Sequence, residues 1–181
     1  MKTVLSLVFL MQRKPHEADC TDPRPVDEPS PFDQLRRRAG EQPEPQRLLF
    51  VFAAAALPDD ASPAERDRFA AGVGGTLAPV ICVDKAPDEL TNFDALVAES
   101  RSIGRAVQSG NAGQAEEADE TSAVRAGWQV VFAAGLSGRN GQAPSAGQIT
   151  QALEAMVERV RNATFGAFLA LDRSGKTLRF I

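Results

Sequence analysis

The sequence has very few of the side chains on which catalysis and metal binding usually depend. It contains one histidine, His16, and two cysteines, Cys20 and Cys82. A zinc site of the usual kind needs three or four convergent nitrogen and sulfur ligands, which this set does not supply. Thioredoxin-like chemistry needs a Cys-x-x-Cys pair, and serine-hydrolase chemistry needs a histidine within the folded domain. We therefore expect no catalytic residues, no bound metal and no cofactor.

Aromatic side chains and an excess of positive charge are also scarce. The 181 residues include ten Phe and one Trp but no Tyr, and the net charge is −4. Proteins that bind nucleic acids generally present a basic stripe, so the composition argues against a nucleic-acid partner. The length is nonetheless sufficient for one domain with its own hydrophobic core.

The N-terminal part of the chain has little that could form a core. An apolar run at 3–11 is too short to span a bilayer, and it is followed by QRKP rather than by a small-residue cleavage site. Two interpretations stay open: an inert extension or mistaken start, with Met11 as the true first residue, or an export signal at 1–11. The prolines and charges that follow predict a disordered leader over 1–29. We expect a cytoplasmic protein with no membrane partner.

Beyond residue 30, apolar runs alternate with helix-start patterns. Strands are predicted at 48–55, 77–83, 128–134 and 165–171, and 176–181 completes a C-terminal β-hairpin. Helices are predicted to begin at Ser30, Ser62, Thr91 and Ser145, the third of them ending at Gly104. The order α-β-α-β-α-β-α-β-β predicts one α/β domain over 30–181 with a mostly parallel sheet of about five strands. Residues 105–126 are predicted to form a flexible acidic insertion.

Ligands of open parallel sheets bind beyond the carboxyl ends of the strands, and six residues in this sequence follow predicted strands. They are Asp84, Lys85, Ser137, Gly138, Arg139 and Gly141. Glycine permits close backbone approach, and an arginine can pair an anion through two hydrogen bonds. A structural turn explains the same residues equally, so both interpretations stay open. Residues 36–38, a run of three arginines, are expected on the solvated outer side of the first helix.

Five stretches of the chain resemble a family of short bacterial proteins of unknown function. They are FDQL at 32–35, PEPQRLLFVF at 43–52, LPDDA at 57–61, CVDKAPDEL at 82–90 and VVFAAGLSGR at 130–139. Such proteins are often labelled ribonucleotide reductase subunit alpha, and the resemblance implies an association with that enzyme through the label alone. A reductase large subunit needs a barrel several hundred residues long, a radical cysteine and a separate redox pair. Two cysteines and 181 residues do not provide them.

These observations lead to two functional hypotheses. The first is a non-catalytic regulatory module that acts through a protein partner. The alternative is a binding protein for a small metabolite, a nucleotide or another anion at the carboxyl ends of the strands.

Overall fold

The computed structural model describes residues 29–58, 60–71, 74–110 and 127–180, with the backbone alone for 105–110. Eight elements alternate along these residues: α1 Pro31–Gly40, β1 Gln46–Ala56, α2 Pro63–Ala70, β2 Thr76–Lys85, α3 Phe93–Gly110, β3 Val130–Ser137, α4 Ala146–Arg161 and β4 Leu169–Asp172. The predicted leader lies outside the described residues except for its last residue, as does 111–126 of the predicted insertion.

The helices begin where the sequence places serine caps. The Ser30 hydroxyl accepts the Asp33 backbone N–H at the start of α1, and Ser62 and Ser145 form complete capping boxes at α2 and α4. Helix α3 continues to Gly110, so its predicted end at Gly104 is wrong. One glycine inside a helix costs only about 1 kcal/mol, which packing against the sheet offsets. No helix within the described ranges is long and apolar enough to cross a membrane.

The sheet has four strands in the order β2-β1-β3-β4, and all three neighbouring pairs are antiparallel. The predicted mostly parallel sheet of about five strands is therefore wrong. The prediction took the continuous apolar run of β1 as typical of parallel sheets, which are covered on both faces. A strand is buried on both faces whenever helices cover both faces of its sheet, whether its neighbours are parallel or antiparallel to it. Helix α2 buries none of its residues, so it links two neighbouring strands without covering the sheet.

The predicted fifth strand is reduced to a short extension of β4. The turn at 172–175 is present, but among the described residues only one isolated bridge follows it, between Leu171 and Thr177. Its hydrogen bonds run from the Asp172 N–H to the Lys176 carbonyl and from the Leu178 N–H to the Ala170 carbonyl. The Asp172 carboxylate accepts hydrogen bonds from Ser174 and Lys176. Partial burial acts to raise the pKa of Asp172, but these hydrogen bonds outweigh it and the pKa lies below its ordinary value.

Strand β1 divides the hydrophobic core into two layers. Leu48, Phe50 and Phe52 face α1 and α3, whereas Leu49, Val51 and Ala53 face α4. The first layer also contains Phe32, Leu96, Val97 and Trp128, and the second contains Phe132, Met156, Val160 and Phe165. The domain is thus a central sheet with helices on both faces.

Strand β2 lies at one edge of the sheet, and its backbone is irregular there. The register with β1 shifts between Phe52 and Ala53, which pair with Ile81 and Pro79 and leave Val80 without a partner. Proline has no backbone N–H and is tolerated in sheets mainly at edges and bulges. The same strand ends in two ion-paired residues, Asp84 and Lys85.

The antiparallel register predicts a specific disulfide. Val51 lies directly opposite Cys82, and such Cα atoms are about 4.5–5.5 Å apart, within the range of about 4.4–6.8 Å that a disulfide spans. We expect V51C in a C20S background to form an intramolecular disulfide. Partial desolvation raises the pKa of the Cys82 thiol, and the charge of Arg161 opposes this effect only in part. The residue is exposed, so an oxidant can reach it. Because the thiolate is the reactive form, oxidation is carried out at alkaline pH.

The matched control for this disulfide is L49C in the same background. Leu49 faces α4 as Val51 does, but it lies opposite Asp84. Its diagonal distance to Cys82 is about 7–8 Å, too long for a disulfide. Thiol titration and peptide mass mapping read out both variants. Oxidation of L49C in preference to V51C would contradict the register.

The second core layer depends on a cluster of three phenylalanines. Phe132 is fully buried, with ring centroids 4.8 Å from Phe165 and 5.9 Å from Phe180. We expect Phe132→Ala to lower the free energy of unfolding by about 3–5 kcal/mol. Phe69→Ala, on helix α2, which buries no residue, should cost about 1 kcal/mol. Urea unfolding measures both, and equal losses would contradict this description of the core.

Candidate functional site

All six residues singled out from the sequence lie at one end of the sheet. Because β1 is antiparallel to both of its neighbours, β2 and β3 run parallel to each other, and their carboxyl ends flank the amino end of β1. Asp84 and Lys85 are the last residues of β2, and Ser137 is the last residue of β3. The antiparallel sheet therefore brings together residues that were expected to meet in a parallel one.

Asp84 and Lys85 form ion pairs with residues of two different elements. Arg47 donates to one oxygen of Asp84 from Nε at 3.0 Å and from Nη2 at 2.5 Å, and its Nη1 donates to Glu89 at 3.1 Å. Lys85 pairs instead with Glu99 of α3, at 2.7 Å. Adjacent residues of a strand point to opposite faces, so these two charges do not act as one site.

The residues after β3 hold the chain segment that leads into β1. Ser137 and Gln46 exchange hydrogen bonds between their side chains at 2.8 and 3.0 Å. The Gly138 N–H donates to the Pro45 carbonyl at 2.7 Å, and the Gly141 N–H donates to the Glu44 carboxylate at 2.7 Å. Together with the ion pair between Arg47 and Asp84, these contacts fasten every residue of 44–47.

Residues 139–142 form a tight hairpin turn. Arg139 and Gln142 exchange backbone hydrogen bonds at 3.0 Å, and Asn140 and Gly141 have φ values of 54° and 74°. Asn-Gly with two positive φ angles is typical of a type I′ turn. A Cβ atom on Gly138 would overlap the Gln142 carbonyl oxygen, so glycine is needed here for the close approach of the Gln142 backbone. The Arg139 side chain is exposed at the end of the turn.

A pocket of about 770 Å³ lies between α1, residues 42–47 and residues 86–88. Three arginines line it, namely Arg36, Arg37 and Arg47, and so do three carboxylates, those of Asp33, Glu44 and Asp88. None of the six predicted residues lines the pocket. Four of them, Asp84, Ser137, Gly138 and Gly141, instead bond to residues that do. These four residues therefore form a supporting layer behind the pocket wall.

Helix α1 supplies the charged residue that sequence reasoning missed. Its core face carries Phe32, whereas Arg36 is half-buried and lines the pocket, so the predicted place of Arg36 on a solvated outer side is wrong. Arg36 Nη1 donates to the Leu90 carbonyl at 2.8 Å, and its Nε is buried with no acceptor among the described residues. The spacing of 33, 36, 37 and 40, all of which line the pocket, is one helical face and was available from the sequence.

The charges of the other two pocket arginines are compensated. Arg47 contacts Asp84 and Glu89, and Arg37 lies 3.8 Å from Glu41. Among the described residues, no carboxylate lies within ion-pairing distance of Arg36. Hydrogen-bond donors with a positive charge and no anion are suited to bind one.

Metal chemistry finds no support in the described part of the chain, where no group of three or more His, Cys, Asp or Glu residues could hold an ion. Comparisons with protein-family models, with curated proteins and with solved structures gave no match. The geometry of the pocket therefore carries the functional argument.

Two glycines near this end of the sheet, Gly138 before the turn and Gly147 in α4, should respond in opposite ways to substitution by alanine. Gly138→Ala forces the Gln142 carbonyl to move, and we expect it to cost about 1–3 kcal/mol of stability. Gly147→Ala, in the first turn of α4, meets no atom within 4 Å and should stabilise the protein by about 0.4–1 kcal/mol. Urea unfolding compares the two variants with the parent chain. A neutral Gly138→Ala would show that 138–142 does not close on itself as described.

Proposed function

We propose that this protein is a non-catalytic binding module that holds a small organic anion in the pocket between α1 and the ends of the strands. The observation that carries the proposal is Arg36, a half-buried guanidinium in the pocket wall with no carboxylate partner among the described residues. The other two arginines of the wall are already ion-paired, which leaves Arg36 as the group to which an anion binds.

The chemistry of arginine supports this assignment. A guanidinium has five N–H donors in a fixed plane and recognises a carboxylate or phosphate through two parallel hydrogen bonds. In Arg36, one nitrogen donates to Leu90 and the buried Nε has no acceptor among the described residues. Because Nε is closed to solvent, an anion in the pocket would bind through the remaining N–H donors of the two Nη atoms.

The shape of the pocket also supports binding of a small molecule. A volume of about 770 Å³ falls within the usual range for ligand pockets, about 300–1,000 Å³. The wall formed by residues 44–47 is fixed by Asp84, Ser137, Gly138 and Gly141 before any ligand arrives. A preformed wall reduces the ordering cost of binding. In this proposal four of the six residues predicted from sequence position the wall instead of contacting the ligand, and Lys85 and Arg139 take no part.

A protein partner and membership of the family that the chain resembles stay predictions. A binding module can also be regulatory, because a protein partner can bind the ligand-bound and ligand-free forms with different affinities. The proposed binding function rests on the residues of the pocket and makes no use of the label that the resembling proteins carry.

The proposal predicts that one arginine of α1 is essential for binding and another is not. Small carboxylates such as isovalerate, inorganic phosphate and AMP are screened by thermal shift with the full chain. For this size of domain, a ligand at 100 times its Kd adds about 2.7 kcal/mol, which raises Tm by roughly 5–10 °C. We expect R36Q to abolish the shift.

The matched control is R38Q, because Arg38 is an exposed arginine of the same helix and is not part of the pocket wall. It should respond to the ligand as the parent chain does. Equal shifts for R36Q and R38Q, or no shift with any carboxylate or phosphate, would refute the proposed function.

A further inference from the structure

Two opposite charges on α1 line the pocket without pairing with each other. Asp33 accepts a hydrogen bond from the Ser30 hydroxyl at 2.6 Å, whereas Arg36 donates to the Leu90 carbonyl. They are three residues apart, and side chains at this spacing are neighbours on a helix, with Cβ atoms about 5–6 Å apart. A carboxylate and a guanidinium in such positions, both facing one pocket, present complementary partners to a molecule that carries both charges.

We infer that the ligand is a free α-amino acid, whose carboxylate binds Arg36 and whose ammonium group binds Asp33. This inference rests on the proposed anion-binding function and specifies its ligand. The ammonium and carboxylate of an α-amino acid are attached to the same carbon atom, so both reach one turn of α1 together. An N-blocked carboxylate satisfies Arg36 alone.

The overall charge around the pocket favours a ligand with no net charge. Three arginines and three carboxylates line the wall, and three further carboxylates, those of Glu41, Asp84 and Glu89, pair with two of the arginines. The formal charges of the wall itself therefore balance, which suits a ligand with no net charge better than a nucleoside diphosphate or triphosphate. In addition, no aromatic ring for stacking a base is found among the described residues that line the pocket.

The uncharged part of the wall indicates the type of side chain. Its apolar side chains come from three prolines and three alanines, Pro29, Ala39, Pro45, Ala86, Pro87 and Ala143, and Gly40, Gln42 and Gln46 complete the uncharged wall. These residues offer apolar surface and few hydrogen-bonding side-chain groups. An aliphatic side chain buries apolar area against such a wall, so we assign the ligand to the aliphatic amino acids.

Calorimetry of the full chain with three related probes tests the inference. L-leucine has both charges, N-acetyl-L-leucine has only the carboxylate, and L-leucinamide has only the ammonium group. We expect L-leucine to bind at least roughly ten-fold more tightly than either analogue, which is the factor expected for one charged hydrogen bond. If N-acetyl-L-leucine binds as tightly as L-leucine, the amino-acid assignment is overturned while anion binding stands. If no probe binds, the amino-acid assignment fails, and the R36Q thermal-shift screen decides separately on anion binding.

Four variants test which charged group of the ligand Asp33 and Arg36 each bind. D33N should weaken L-leucine at least roughly ten-fold and leave N-acetyl-L-leucine unchanged, whereas R36Q should weaken both. D94N removes an exposed carboxylate in the first turn of α3, outside the pocket wall, and should change neither affinity. Circular dichroism checks that α1 stays folded in D33N, and D33E, which restores the charge, should recover part of the lost affinity. An unchanged affinity for L-leucine in D33N, or an equal loss in D94N, overturns the role of Asp33.

Discussion

The rest of the fold depends on the burial of β1 on both faces. Residues 48–54 are buried without interruption, and successive side chains of this segment enter opposite core layers. Every polar group of such a backbone needs a partner, which β2 and β3 supply on the two edges. Each face also needs a cover, which α1 and α3 provide on one side and α4 on the other. A strand with these requirements can occupy only the interior of the sheet.

The same strand determines where a ligand can be held. Uninterrupted burial begins at Leu48, and three of the four residues before it, Glu44, Gln46 and Arg47, carry polar side chains. Because β2 and β3 both end beside them, the polar residues of two strand ends fasten this segment from either side. Helix α1 precedes the segment and faces it across the pocket. The pocket is thus formed where the polar approach to β1 meets the two neighbouring strand ends.

Local features of this fold could be predicted from the sequence because they depend on residues close together in the chain. The serine caps at Ser30, Ser62 and Ser145 and the buried run of β1 belong to this class. Strand direction was wrong because it depends on where a connection ends, and α2 contains nothing that distinguishes a link between antiparallel neighbours from a crossover. Arg36 was missed for a similar reason, since its place in the pocket wall is fixed by the carbonyl of Leu90, 54 residues further along.

The irregular edge of β2 affects whether two molecules can associate through their sheets at high protein concentration. An open sheet edge can add a strand from another chain, which is a common first step in aggregation. Pro79 and the unpaired Val80 interrupt this edge within its apolar stretch, and the ion-paired Asp84 and Lys85 end it with charge. At the opposite edge, Thr177 and Leu178 already pair with β4. Within the part of the chain that the structure describes, neither edge of the sheet is a long regular template, which disfavours the addition of a strand from a second molecule.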